Sequence, residues 1–296
     1  MMIERVVITN QVTGVSITFD KVKTENYLLD TCIVSPIDAD IATQQAIGMD
    51  GSIISNIRYE ARTLSIAGWI IGKDDAMISS YRKALNGLIN PKQMLEIIFN
   101  NYRLCGYPTQ SVVYGNTVQE LNEKMSKFLT TILCPNPVIE TESPHNVQIA
   151  AWRAGFRFPL KFDLPGNKMI FGVRTESRIV SIPSDADVNC GMVITLRAIG
   201  NLSIPRVTNI SAQEHLELNL TMHAGDRVII DTRMPYTTAY LYNALDERSN
   251  AINSITDDST YLQVPPGESQ FTYSAEENEE NLQVSFEYRP GYLEVL

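Results

Sequence analysis

Apolar and polar residues alternate along most of the chain, in runs rich in Val, Ile, Thr, Tyr and Phe that end at Gly, Asn, Asp or Pro. Alternation with period two lays one face of a β-strand on a core, so the chain is expected to be mostly β. Residues 6–9 and 15–19 read as an opening hairpin, with turn residues between them. Residues 27–34, 53–62 and 64–71 read as longer strands. Before residue 53 comes the stretch SPIDADIATQQAIGMDGS. Its weak periodicity leaves Ile37, Ile41, Ala42, Ile47 and Met49 with no local pattern to bury them. A structureless loop of that length in a compact domain is uncommon unless it has a task.

One helix is expected, over residues 74–89. Asp74 or Asp75 can cap its first amides, and Met77, Ile78, Tyr81, Leu85, Leu88 and Ile89 recur at three- and four-residue spacing. Asn90-Pro91 ends it, because the residue before proline avoids the helical region. Residues 95–99 and 102–107 read as strands joined by Asn100-Asn101, a pair tolerant of left-handed angles. Over residues 118–133 the pattern is ambiguous: Val118, Leu121 and Met125 fit a helical period, whereas residues 127–134 read better as a strand.

Cys134-Pro135-Asn136-Pro137 and the polar residues after it form the strongest break in the pattern. The expected division is a first domain over 1–134, a linker over 135–148, a second domain over 149–289, and a C-terminal segment over 290–296 that returns to the first. In the second domain short strands are expected at 151–164, 171–182, 191–199, 216–222, 228–232, 236–242, 259–262, 271–273 and 281–288. Their spacing and turn signals suggest a β-sandwich.

The length of 296 residues suits two such domains, each large enough to bury a core without staples. A formal charge of −10 repels phosphate backbones, so tight nucleic-acid binding is not expected. The N-terminal MMIERVVITN lacks the layout of a signal peptide, which implies synthesis in a cytoplasm. Residues 66–71, the best apolar run, are too short to span a membrane, and no membrane insertion is expected. Cys32, Cys105, Cys134 and Cys190 form no C-x-x-C pair and read as buried reduced thiols.

Catalysis needs a constellation, and the sequence assembles none. His145, His215 and His223 sit in no metal or triad motif, and no dinucleotide or nucleophile-elbow pattern occurs. Asp226 and Asp231, five residues apart on an extended segment, would point to opposite faces, which weakens them as a catalytic pair. The Glu276–Glu280 run lacks the ligand alternation of a calcium loop and reads as a solvated hairpin tip. Trp69 and Trp152 could stack on sugars, although aromatic residues in strands more often fill cores. No catalytic, metal or cofactor residues are expected.

The order of these pieces resembles the distal tail (Dit) family of long-tailed phages and prophages. The resemblance rests on the helix ending Leu88-Ile89-Asn90-Pro91, the strand IIFNNYRLCGY, the strand end Cys134-Pro135-Asn136-Pro137, Gly225-Asp226 with Ile230-Asp231-Thr232, and the closing Phe286-Glu287-Tyr288-Arg289-Pro290-Gly291-Tyr292. It implies a mainly β, two-domain chain: an N-terminal β-sandwich with one α-helix and a long arm, then a galectin-like β-sandwich. It also assigns residues 127–134 to a strand and the orphan loop 36–52 to an arm between neighbours, with Ile37, Ile41, Ile47 and Met49 as its contact residues. The implied protein is a non-enzymatic hub at the virion tail tip, a hexameric ring that joins the tail tube to tail-associated, fibre or receptor-binding proteins and lets DNA pass. A carbohydrate-binding module touching the host wall, with weak sugar contact through the second domain, is the alternative. The sugar-binding residues of galectins are not identifiable in the sequence.

Overall fold

The computed structural model describes residues 3–22, 26–45, 47–48, 50–115, 121–122, 124–149, 152–154, 172–174, 179–233 and 237–295, with the backbone alone at 121–122, 152–154 and 172–174. Contacts divide the chain into two units, Met1–Ser143 with Gly291–Leu296 and Pro144–Pro290.

The first unit opens with β1 (Arg5–Asn10), β2 (Ser16–Asp20), β3 (Tyr27–Val34), β4 (Ala39–Gln44), β5 (Ile53–Tyr59) and β6 (Arg62–Ile71). Helix α1 (Asp75–Leu88) follows, then β7 (Leu95–Phe99), β8 (Tyr102–Pro108), β9 (Val113–Tyr114), β10 (Leu121–Asn122), β11 (Met125–Cys134) and β12 (Ile139–Thr141). Strands β11, β6, β3, β2, β1, β7 and β8 pair in that order, and β11 also pairs with β8. The two packed layers are thus one sheet that returns on itself, which removes most of its open edges.

Alternation decides the inside of that circuit. Val6, Ile8, Phe19, Leu64, Ile66, Ile97, Phe99, Phe128 and Ile132 are buried within it. α1 adds Leu85 and Leu88, and Asp74 caps its start by accepting from the Met77 amide at 2.8 Å. Buried Asn10 ties the helix end to β1, donating to the Leu88 carbonyl and to Gln93 while accepting from the Val12 and Thr13 amides. The β7–β8 turn places Asn100 at φ 48° and Asn101 at φ 68°, the left-handed pair that a two-residue hairpin requires.

Residues 135–148, expected as a linker, carry β12 and, in the second unit, β13 (His145–Gln148). Ile139 and Glu140 of β12 pair with β27 (Gly291–Tyr292), the last strand of the chain. Arg62, 2% exposed, donates to the Leu293 carbonyl at 2.7 Å, so the final residues are part of the first unit.

The second unit continues with β14 (Trp152–Ala154), β15 (Gly172–Arg174), β16 (Ile179–Ser184), β17 (Cys190–Ala198), β18 (Leu202–Asn209), β19 (Glu214–Glu217) and β20 (Thr221–Met222). It ends with β21 (Arg227–Asp231), β22 (Thr238–Tyr242), β23 (Arg248–Asn250), β24 (Gln263–Val264), β25 (Gly267–Glu277) and β26 (Leu282–Tyr288). One sheet runs β13-β26-β17-β21-β22-β23 with β24 on β17; the other runs β16-β25-β18-β19 with β20 on β18. Ile194, Leu196, Val228, Ile230, Val284 and Phe286 of the first meet Ile182, Val207, Leu216 and Phe271 of the second. The Phe271 and Phe286 rings touch across the layers with centroids 5.2 Å apart. Several sequence expectations change in this unit: the strand expected over 216–222 divides into β19 and β20, and β23 was not expected. β18 replaces a gap in the expected strands, and residues 259–262 precede β24 as irregular chain. Most of the strand expected over 151–164 lies outside the described residues.

Candidate functional site

The stretch that looked like an orphan loop contains β4, the first strand of a hairpin whose second strand, β5, begins just after it. Among the described residues β4 and β5 pair only with each other, and every residue of β5 is exposed. Their register places Ala39 opposite Tyr59, Ile41 opposite Ile57 and Thr43 opposite Ile54, with a bulge between Ala42 and Thr43. Ile54 and Ile57 are an odd number of residues apart and would face opposite ways on a regular strand. The bulge returns them to one side. One face therefore carries Ile41, Ile54, Ile57 and Tyr59, each between 49% and 57% exposed. The other carries Asp40 and Arg58, an exposed ion pair at 2.7 Å that orders the hairpin but adds little stability.

Of the residues expected as arm contacts, Ile41 lies on this apolar face. Ile37 is half-buried ahead of β4, Ile47 is fully exposed in the turn, and Met49 lies outside the described residues. Ile54, Ile57 and Tyr59 fall in the stretch 53–62 that reads in sequence as a longer strand, with no contact role expected for them. The one signal that set them apart was the broken alternation of Ile54, Ile57 and Tyr59.

A second apolar surface lies on the outward side of the first unit's own sheet. Register puts Val113, Leu129 and Ala67 in one row, Thr131, Ser65 and Ile33 in the next, and Tyr107, Leu133 and Thr63 in the one after. Ile33, Tyr107, Val113, Leu129 and Leu133 are all exposed. These five side chains put apolar surface on a face that also carries Thr63 and Ser65.

The residues tested for catalysis are dispersed. The His145 ring meets Tyr288 edge-on at 5.4 Å, His215 Nε2 lies 3.2 Å from Asp258, and the buried Asp226 carboxylate accepts from the His223 amide at 2.8 Å. Asp258 sits below the usual carboxylate range, first through the Thr256 hydroxyl and only later through His215. Asp231 is held by Arg233 at 2.6 Å, so Asp226 and Asp231 are each used locally and do not face one another. Among the described residues no group of three His, Cys, Asp or Glu side chains could hold a metal ion, and no helix is long and apolar enough to cross a membrane. Burial pushes the Cys32 and Cys134 thiols up to about 12, which keeps them protonated and poorly nucleophilic.

Two family models match the chain. Residues 21–105 match a phage tail protein RIFT-related domain, and residues 185–292 match the C-terminal domain of siphovirus-type tail components. No curated protein matches it. Among solved structures the chain is similar to SPP1 Dit (gp 19.1), described as a paradigm of hub adsorption apparatus in phages infecting Gram-positive bacteria. That match has a TM-score of 0.65 and 9% identity over 97% of this chain and 98% of the other. A chain of the phage P2 baseplate in its activated conformation with calcium matches with a TM-score of 0.53 and 9% identity over 98% of both chains. The class is that of siphovirus-type tail components. Within it, the chain belongs to the distal tail protein family.

Proposed function

We propose that the protein is the ring-forming hub of a tail tip. Six copies close head to tail, and the β4–β5 arm of each lies on the outward sheet face of its neighbour. The ring joins the tail tube to tail-associated or receptor-binding proteins, has no enzymatic step, and reaches the virion after synthesis in the host bacterial cytoplasm.

The observation that carries this reading is the apolar face of Ile41, Ile54, Ile57 and Tyr59 on a hairpin that pairs with nothing else. A lone two-stranded hairpin is marginal in water and needs a surface to pack on. Full burial of a large apolar side chain is worth about 1.5–3 kcal/mol, so covering the exposed half of four such residues supplies roughly 3–6 kcal/mol per contact. Identical contacts made head to tail close into a ring when the rotation permits.

Electron microscopy of the purified protein with its tail partners tests the reading. Six-fold rings are expected, and a protein that stays monomeric at high concentration with those partners overturns it. Six copies carry roughly −60 in formal charge, which suits a passage that does not retain DNA. Gel shift at low salt, where screening is weak, should show no tight complex.

A further inference from the structure

The outward face of the second unit's larger sheet carries a row of basic residues that no sequence motif announces. Register aligns Gln283 of β26, Arg197 of β17, Arg227 of β21, Tyr242 of β22 and Arg248 of β23 in one line across five strands. At about 4.8 Å per strand the line spans roughly 19 Å. Arg197 and Arg227 are direct cross-strand partners, and like charges so placed destabilise a sheet. Arg227 is partly neutralised by Asp246 and stacks on Tyr242 at 4.6 Å, while Arg248 stacks on Tyr240 at 4.6 Å. Among the described residues Arg197 has neither an ion pair nor a side-chain hydrogen bond. In a chain of net charge −10, three arginines in one row are a local reversal of sign.

The row borders a groove of about 380 Å³ whose polar lining is Gln148, Thr195, Arg197, Arg227, Gln283 and Ser285, with Gly225 and Val284 completing its wall. Amides and hydroxyls here both donate and accept, matching the dual character of sugar hydroxyls. The volume lies within the small-ligand range and exceeds the needs of a bare anion. Val284 is buried in the sandwich core, and the other side chains around the groove are polar, offering an apolar peptide side chain no pocket. The charge identifies the rest of the ligand, because guanidinium groups pair with phosphate and carboxylate in forked geometry.

We propose that this groove binds an acidic saccharide, a sugar or polyol carrying phosphate or carboxylate. The anion lies between Arg197 and Arg227, and the hydroxyls lie on Gln148, Thr195, Gln283 and Ser285. The site is independent of the arm and of ring closure.

Calorimetry on the full-length protein at low salt tests it with five probes: glucose 6-phosphate, glucuronate, glucose, inorganic phosphate and octaglutamate. Binding of glucose 6-phosphate, glucuronate or both at least tenfold tighter than glucose and phosphate is expected, and their ratio tells phosphate from carboxylate recognition. Arg197→Gln should weaken the preferred probe about tenfold, the usual size of a lost charged hydrogen bond. Gln283→Ala should weaken it several-fold and stands in if the first variant does not fold. Equal binding of inorganic phosphate, preference for octaglutamate, or no saccharide binding at millimolar concentration would each overturn the proposal.

Discussion

β5 and β6 follow one another in the chain, separated by two residues, and both are rich in isoleucine. Yet all seven residues of β5 are exposed, while Arg62, Leu64, Ile66, Gly68 and Ile70 of β6 are buried. The difference lies in their neighbours. β6 is paired on both sides, along its whole length with β11 and with β3, and its inner face meets Phe128 and the helix end. β5 has β4 alone. Strand propensity and apolar content are therefore no measure of what a strand packs against. One of these strands is covered on both edges and on its inner face by its own chain, and the other is exposed along its whole length.

Truncating the core strand should have the largest effect on the protomer. Ile66 is fully buried, so Ile66→Ala should cost about 2–5 kcal/mol, measured by denaturant unfolding. A loss below 1 kcal/mol would mean that β6 is no better supported than β5.

Next comes the chain end that completes β6. Ending the chain after Arg289 removes β27 and the Leu293 carbonyl, leaving the Arg62 guanidinium buried without its acceptor. A loss of about 2–3 kcal/mol is expected in thermal unfolding. Arg62→Met in the shortened chain should recover part of it, because an apolar group of similar length leaves no buried charge. Failure to recover would place the loss in the β12–β27 pairing alone.

Alkaline pH should have a smaller, graded effect on the same unit. Burial, first among the causes, pushes Tyr27, Cys32 and Cys134 up to about 12. Their folded values lie above the unfolded ones, so the folded state holds these protons more tightly. That stability is complete below about pH 8.5 and lost as pH rises from there towards 12. Melting midpoints taken stepwise above pH 8 should fall, and a flat profile up to pH 11 would contradict the assignment.

Much of this fold was legible. The opening hairpin, α1 with its Asp74 cap and Asn90-Pro91 stop, and the Asn100-Asn101 turn each depend on a few adjacent residues. β18 was not, because Ile204 at φ 46° and the proline at 205 interrupt its alternation while β25 and β19 hold it on both sides. β4 was not either, since a strand with no buried face shows no period. The arginine row was invisible for another reason. Its members come from positions 197, 227 and 248, and only cross-strand register brings them into line. The candidate arm was half-legible: its unburied isoleucines stood out, but the partner strand that presents Ile54, Ile57 and Tyr59 read as an ordinary long strand with nothing to tie it to them.

The smallest effect on the protomer is expected at the arm, and there the central claim meets its most direct measurement. Ile41→Asp with Ile57→Asp alters only exposed positions and should shift protomer stability by no more than about 0.5 kcal/mol. Native mass measurement of this variant beside the unaltered protein, at the same concentration and with tail partners present, compares the two states. A closed assembly of six copies is expected for the unaltered chain and folded monomers for the variant. A variant that assembles as completely as the unaltered chain would contradict it.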